Sequence, residues 1–331
     1  MRLRSEGKPA STATIRVFAM LGRRFLSGLF TVWLASLLIF VGTDLLPGDA
    51  ATAILGRNST PSALAALRAQ LGLNRPLFNR YWEWLTGMLH GNLGRSLVGD
   101  QAVSAVIGHG IVNSLILAAI TLVILIPLAI SIGAFAAMRR YSPVDHSLQT
   151  LTLVLNALPE FVTGTLLALI FGVTLTILPP VSLFNPTDYS IQHPKFLVLP
   201  VVTLVFAALA PTARMVRGSV IEVLERPYVQ MARLKGLNDR TIMRRHVLPN
   251  ALVPTIQVLA LAIGWMMGGI VVVEFVFQYA GMGEALVSAV SERDVPTVQA
   301  LGLIIATVYV LVNICADIAT LLLTPRLRTT L

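Results

Sequence analysis

The sequence predicts an all-α membrane protein with six spans, and three observations carry that prediction. Of its 331 residues 55% are hydrophobic and 12% charged, against roughly a quarter charged in soluble domains. Five long windows are nearly or wholly free of charge: Phe25 to Val41, Ile111 to Met138, Phe161 to Thr187, Val247 to Val273 and Val295 to Ala316. A sixth, Phe196 to Ala213, is shorter but still long enough to cross, since a span takes about 20 apolar residues.

Residues 1–24 form a polar, basic N-terminal tail, read as loose chain or a surface-lying helix. The first span runs from about Phe25 to Leu46 and stops at Pro47-Gly48-Asp49. It is longer than a signal-peptide core and lacks a small-residue cleavage site, so it is expected to remain as an anchor. An external region follows to about Gly110, and 25–110 is expected to form the first span plus a small helical subdomain. In it, Thr60-Pro61 reads as an N-cap with proline at the first helical position, and Gly72 as a stop. Leu77 to Leu89, with Tyr81, Trp82 and Trp84, has the composition of a helix lying at the membrane interface.

Residues 111–331 are the core, with five further spans. The second ends at Arg139-Arg140; the third, about Gln149 to Leu178, is stopped by Pro179-Pro180; the fourth is Phe196 to Ala213. A polar insert, 214–249, precedes the fifth span (Pro254 to Phe277) and the sixth (Pro296 to Leu323). No internal repeat divides the chain into matching halves.

The formal charge of +9 raises nucleic acid as a partner, but its distribution argues for topology instead. With six spans and an inside N-terminus, 18 of the 25 basic residues fall on the inner side, Arg139, Arg140, Arg214, Arg217, Arg244 and Arg245 among them. The positive-inside rule then puts both termini in the cytoplasm. No nucleic-acid partner is needed. Cys315, the single cysteine, cannot form an internal disulfide and is expected to fill space in the last span.

Nothing reads as a catalytic centre. A P-loop needs Gly-Lys-Ser/Thr to cradle phosphates, whereas Lys8, Lys195 and Lys235, the only lysines, precede Pro9, Phe196 and Gly236. No His-Glu-x-x-His or Cys-x-x-Cys run occurs, and the five histidines are scattered, so neither a metal site nor a resident cofactor is expected.

The insert is the most informative segment. Tyr228, Ala232 and Gly236 recur at four-residue spacing and share a helical face, a small-residue surface that lets another backbone approach. Gly236 can end the helix in a left-handed conformation, and Asn238 or Asp239 can cap the next. Arg233 and Lys235 flank the face and suit carboxylates on a partner. The plainer alternative is a solvated basic loop that only obeys the positive-inside rule; a DNA-binding helix-turn-helix is disfavoured between two spans.

These residues resemble the EAA loop of bacterial ABC importer permeases: Glu-Ala-Ala, three residues, Gly, nine residues, Ile-x-Leu-Pro. Gln230-Met231-Ala232, Gly236, His246 and Leu248-Pro249 stand at those positions. Ala232-Arg-x-Lys235-Gly236-Leu237 with a later His and Asn-Ala-Leu-x-Pro is similar to the dipeptide/oligopeptide/nickel branch. So, in order, are Leu46-Pro47-Gly48-Asp49, Leu71-Gly72-Leu73, Gly91 to Ser96, Glu274 with Phe277 and Gly281-Met282-Gly283, Arg293-Asp294-x-Pro296, and Asn313 with Asp317 through Pro325-Arg326. The likeness covers nearly the whole chain. Departures are Ala50, Ala280 and Gln230, the last of which removes the acidic start of the signature.

The resemblance implies a permease subunit without its own nucleotide site. Its coupling residues would be Tyr228, Gln230, Ala232, Arg233, Lys235, Gly236 and Leu237. Two cytoplasmic ATPase subunits or domains would bind ATP and Mg, a second related permease would complete the pore, and an external solute-binding protein would deliver the cargo. Di- or oligopeptides are the expected cargo, with nickel, glutathione or an opine as alternatives. A self-sufficient secondary transporter is the rival from another class; midplane ionisable clusters and inverted repeats would favour it, and neither is evident.

A charge near mid-bilayer costs roughly 2.5–3.5 kcal/mol on insertion scales, so Glu160, Glu274 and Asp317 must face protein or water. Glu160 follows Pro159, with Asn156 one turn earlier. The pair could line the pathway and meet a peptide's amino group, or Glu160 could sit at a helix end or pair structurally. Glu274 and Asp317 read as structural anchors near span ends, and Gly264-x-x-x-Gly268 as a close-packing face.

Overall fold

The computed structural model describes residues 10–45, 50–55, 60–70, 72–185 and 187–323. Among them the chain is helical without a strand; one isolated bridge joins Arg95 to Ala102. Leu46 to Asp49, Leu71 and Pro325-Arg326 lie outside the described residues.

Helix α1 runs Ala10–Asp44, so most of the expected tail is continuous with the first span. The short helices α2 (Ala50–Leu55), α3 (Pro61–Gln70) and α4 (Leu77–Leu89) follow. The start of α3 is capped as its sequence dictates: the Thr60 hydroxyl accepts from the Ala63 amide at 3.3 Å, with Pro61 at the first helical position. Gly72, at φ +65°, turns the chain away after it. Helix α4 lies against α1 through Tyr81, whose hydroxyl meets Ser36 at 2.9 Å, and through the Arg80–Asp44 ion pair at 2.7 Å.

Helix α5 spans Val103–Met138 and α8 spans Pro194–Leu224. These two pack along their lengths, and α11 (Leu248–Phe277) closes against α8 from another side. The most apolar stretch of α8 is 61% buried, against 17–22% for the comparable stretches of α1, α5 and α13 (Val295–Leu323). The core therefore centres on α8, and the outer helices keep apolar faces such as Phe25, Leu26, Phe30 and Trp33 uncovered, as a bilayer allows. Among the described residues four helices are long and apolar enough to cross a membrane, and six if each of two bent pairs is one span.

Three span expectations change. The third is not straight: α6 (Pro143–Ala157) and α7 (Glu160–Leu167, continued by a π-helical turn Ala168–Thr174) meet at 98°. Pro159 is the cause, because it forces Leu158 out of the helical region (φ −88°, ψ 128°) and has no amide to continue the ladder. The fourth does not end at Ala213 but continues eleven residues to Leu224, so Arg214 and Arg217 lie on a helix, not in a loop. No proline occurs there until Pro227, and Arg217 finds the Asp145 carboxylate at 2.7 Å. After the fifth, α12 (Met282–Glu292) turns back at 70° to α11, a helix that short length hid among loop residues.

Cys315 is a further correction. It is exposed on α13 and does not fill the core. A helix hydrophobic nearly all round gives no sequence signal as to which side faces inward.

Candidate functional site

The polar insert folds into a compact helix–turn–helix at one end of the bundle. After α8, Arg226 takes an extended conformation and Pro227 opens α9 (Pro227–Leu234). The helix closes in a Schellman motif: the Leu237 amide donates to the Ala232 carbonyl at 3.3 Å and the Gly236 amide to Arg233 at 2.9 Å. Gly236 sits at φ +79°, the left-handed region that glycine enters without steric cost. The Asn238 side chain then caps α10 (Asp239–Ile242), accepting from the Thr241 amide at 2.8 Å. A π-helical turn, Met243–Val247, leads into α11.

Of the face expected to receive a partner, Ala232 is turned inward while Tyr228 and Gly236 stay exposed. Ala232 and Val229 are buried with Val216, Val220, Ile242 and Val247 of the chain's own α8–α11 corner. Tyr228 donates to the His246 carbonyl at 3.3 Å, while Gly236 lies beyond the helix. The close backbone approach that small residues permit is thus made within this chain. The outward side of α9 carries Met231 (53% exposed) and Leu234 (82%), continued by Leu237 (40%). Gln230, Arg233 and Lys235 are exposed around them, and Arg233 is 3.6 Å from Asp239. An Arg140–Glu225 pair at 2.6 Å ties the start of the loop to the end of α5.

Met231 and Leu234 were not picked out in the sequence. The signal was present: Val229 and Ala232 occupy one side of an eight-residue helix and Met231 and Leu234 the other, two apolar sides where one suffices for packing.

A cavity of about 560 Å³ opens where α6 breaks into α7, walled by α8 and α11. Asn156, Pro159 and Glu160 line it, with Ala208, Pro211, Thr212, Met215, Trp265, Met266 and Gly269. Asn156 is exposed there and Glu160 half-buried, so the structure brings both sequence candidates into one space. The Glu160 carboxylate has no hydrogen-bond or ion-pair partner among the described residues. Gly269 leaves it room, a Cβ there falling 3.5 Å from Glu160 Oε1.

The other acids are anchors. Fully buried Glu274 accepts from the Ser114 hydroxyl at 2.5 Å and the Gly283 amide at 2.6 Å. Beside it, Asn113 donates to the Ala280 carbonyl at 3.0 Å and accepts from the Ser190 amide at 2.9 Å. Asp317 pairs with Arg24, joining α13 to α1. The Gly264 side of α11 receives the Tyr309 ring, whereas Gly268 faces open space, so only half of the small-residue pair packs closely.

The family described as binding-protein-dependent transport system inner membrane component matches residues 129–329, and its N-terminal counterpart matches 17–133. The chain belongs to that family. It is accordingly a multi-pass inner-membrane permease subunit of an ABC-type transport system. This permease is 36% identical over 312 residues to a protein of Brucella suis named as a peptide permease, covering 93% of this chain and 98% of the relative. A protein of Sinorhizobium fredii named as a peptide ABC transporter permease is 33% identical over 308 residues (92% and 98%). The glutathione transport system permease protein of Salmonella choleraesuis is 33% identical over 306 residues (92% and 97%).

Proposed function

We propose that this permease is one of two pore-forming subunits of an importer for di- or oligopeptides, driven by ATP hydrolysed on partner subunits. Both termini and the 225–247 loop lie in the cytoplasm, and the 50–102 region lies outside, where a solute-binding protein delivers cargo. A second related permease completes the pore. Two ATPase subunits or domains bind ATP and Mg and grip α9 through Tyr228, Gln230, Ala232, Arg233, Lys235, Gly236 and Leu237, the buried Ala232 by shaping the knob. Nucleotide moves the pore between outward- and inward-facing states only to the extent that the motor binds the two differently. Asn156 and Glu160 line the pathway.

The observation that carries this reading is the exposed Met231–Leu234 ridge on a loop locked by a Schellman turn and a buried valine corner. Three large apolar side chains, Met231, Leu234 and Leu237, stand exposed on this one short loop, and apolar patches rimmed by charge mark contact sites. The test is co-purification: Leu234→Asp is expected to release the ATPase while the second permease stays bound. Retention of the ATPase at wild-type stoichiometry would overturn the assignment.

Relatives named for glutathione support a second reading, in which the cargo is that tripeptide. Calorimetric titration of the cognate binding protein with dipeptides, longer peptides, glutathione and Ni²⁺ separates the cargo classes.

A further inference from the structure

We propose that the cavity at the α6–α7 break is a charge-selective section of the pathway, in which Glu160 receives a primary ammonium such as a peptide's N-terminus. This rests on the reading of the chain as a pore-forming subunit and adds to it the part of the cargo that the pore itself recognises.

The argument begins from what surrounds the carboxylate. Glu160 is the one charged side chain among the described residues lining the space, the rest being apolar or small apart from Asn156 and Thr212. Every other intraspan acid has a partner: Glu274 has Ser114 and the Gly283 amide, and Asp317 has Arg24. Glu160 alone among the three is left open to the cavity. A group that costs kilocalories to keep in hydrocarbon needs water or a cation there. The space of about 560 Å³ exceeds many times the roughly 30 Å³ share of a single water.

The chain's geometry keeps that carboxylate available. Pro159 ends α6, so Glu160 begins a new helix at the corner of a 98° bend, pointing where two helix ends and α11 diverge. Across from it, Gly269 has no side chain to fill the gap, and Trp265, one turn before it on α11 and largely exposed, also lines the space. A carboxylate, an aromatic ring and a single amide in one cavity make an acceptor set for an ammonium with an apolar substituent. The one fixed charge in the lining is negative and no cation stands there to hold a carboxylate, so a peptide would enter with its amino end toward Glu160.

The test reads charge selectivity directly and needs no binding protein. In the assembled complex in nanodiscs, Ala157→Cys places a thiol on the cavity wall. Its labelling by a trimethylammonium-bearing and by a sulfonate-bearing methanethiosulfonate is followed by mass spectrometry of that peptide. The cationic reagent, normalised to its rate with free thiol, is expected to react roughly tenfold faster than the anionic one, the lower end of what one-signed clefts achieve. Glu160→Gln should abolish the preference and Glu160→Asp retain it; Glu160→Ser replaces Gln if that variant does not assemble. Alanyl-phenylalanine amide should slow cationic labelling, and its N-acetyl derivative should not. No preference, a preference that survives in Glu160→Gln, or equal effects of the two amides would overturn the ammonium site while leaving the pore reading intact. A thiol inert to both charged reagents would overturn the pathway assignment as well.

Discussion

Ser96 and Asp294, 198 residues apart, meet at 2.5 Å in a buried pocket at the end of the bundle opposite α9. Asp294 also accepts from the Leu97 amide at 3.0 Å and from Thr297 Oγ1 at 2.6 Å, one carboxylate serving two segments. It stands just before α13, so by holding Thr297 as well as Ser96 and Leu97 it clamps the 94–102 hairpin to the start of that helix. Asp294→Ala leaves the Leu97 amide and the Ser96 and Thr297 hydroxyls without their charged acceptor, about 1.5–3 kcal/mol per bond before overlap. Hydrogen exchange is expected to accelerate at residues 95–103 well before it does in α8. Unchanged protection of the Ser96 amide, which donates to the Gln101 carbonyl at 2.8 Å, would rule out the clamp.

Gly281 has an ordinary φ of −116°, so its backbone suits any residue; what excludes a side chain is Glu274. A Cβ at Gly281 would overlap the Glu274 carboxyl group, which Ser114 and the Gly283 amide hold in place. Gly281→Ala is therefore expected to destabilise the permease by about 2–3 kcal/mol through overpacking. Adding Glu274→Ala should recover part of that loss in a thermal-unfolding series. Full additivity of the two changes would mean that they do not share the space.

The membrane fold was legible because apolar length and the placement of arginines depend on residue type alone. The caps were legible for a similar reason: Thr60-Pro61 and Gly236-x-Asn238 state their backbone conformations locally. What sequence did not reveal depends on which way a side points. Ala232 carried the small-residue spacing of a contact face, yet it is 7% exposed, because Val229 beside it recruits that face to the core. Ser96 and Asp294 were each part of a recognisable motif, but only the fold pairs them. The broken third span hid for another reason. A window of apolar residues across Pro159 reads the same whether the helix kinks gently or turns by 98°. For the cavity, sequence supplied Asn156 and Glu160, while Trp265 and Gly269 came from a helix a hundred residues away.

At Gly236 the penalty for substitution is conformational and nothing else. A Cβ there meets no atom within 4 Å, while φ is +79°. Gly236→Ala should cost about 1–2 kcal/mol of left-handed backbone strain, which loosens the Schellman turn and leaves the buried valine corner intact. If α9 is the ATPase contact, affinity for that partner should fall roughly tenfold, the equivalent of about 1.4 kcal/mol. Gly236→Asn should fall between, since asparagine tolerates the left-handed region better. Surface-plasmon titration of the ATPase against nanodisc-held permease gives the ranking. An alanine variant that binds as tightly as the asparagine one would show that the turn's conformation does not matter to the contact.

Asp145 and Arg217 hold α6 against α8 just before the chain reaches the cavity. Two hydrogen bonds of 2.8 and 2.7 Å run from the guanidinium to the two carboxylate oxygens, and the Tyr141 amide adds a third at 3.0 Å. The Asp145 side chain is 3% exposed and that of Arg217 21%, so solvent screens the pair little. Removing one partner leaves a buried charge uncompensated, which costs about 3–5 kcal/mol, whereas replacing both by apolar groups is often close to neutral. Arg217→Met is therefore expected to lower stability by roughly 3 kcal/mol, with Asp145→Leu in the same background restoring most of it. The two single variants and the double form a cycle, measured by thermal aggregation in detergent. Because the pair fixes the helix that ends at Ala157, Arg217→Met should also slow labelling of a thiol at that position relative to the double variant. A double variant no more stable than Arg217→Met alone would show that the seam depends on something other than this ion pair.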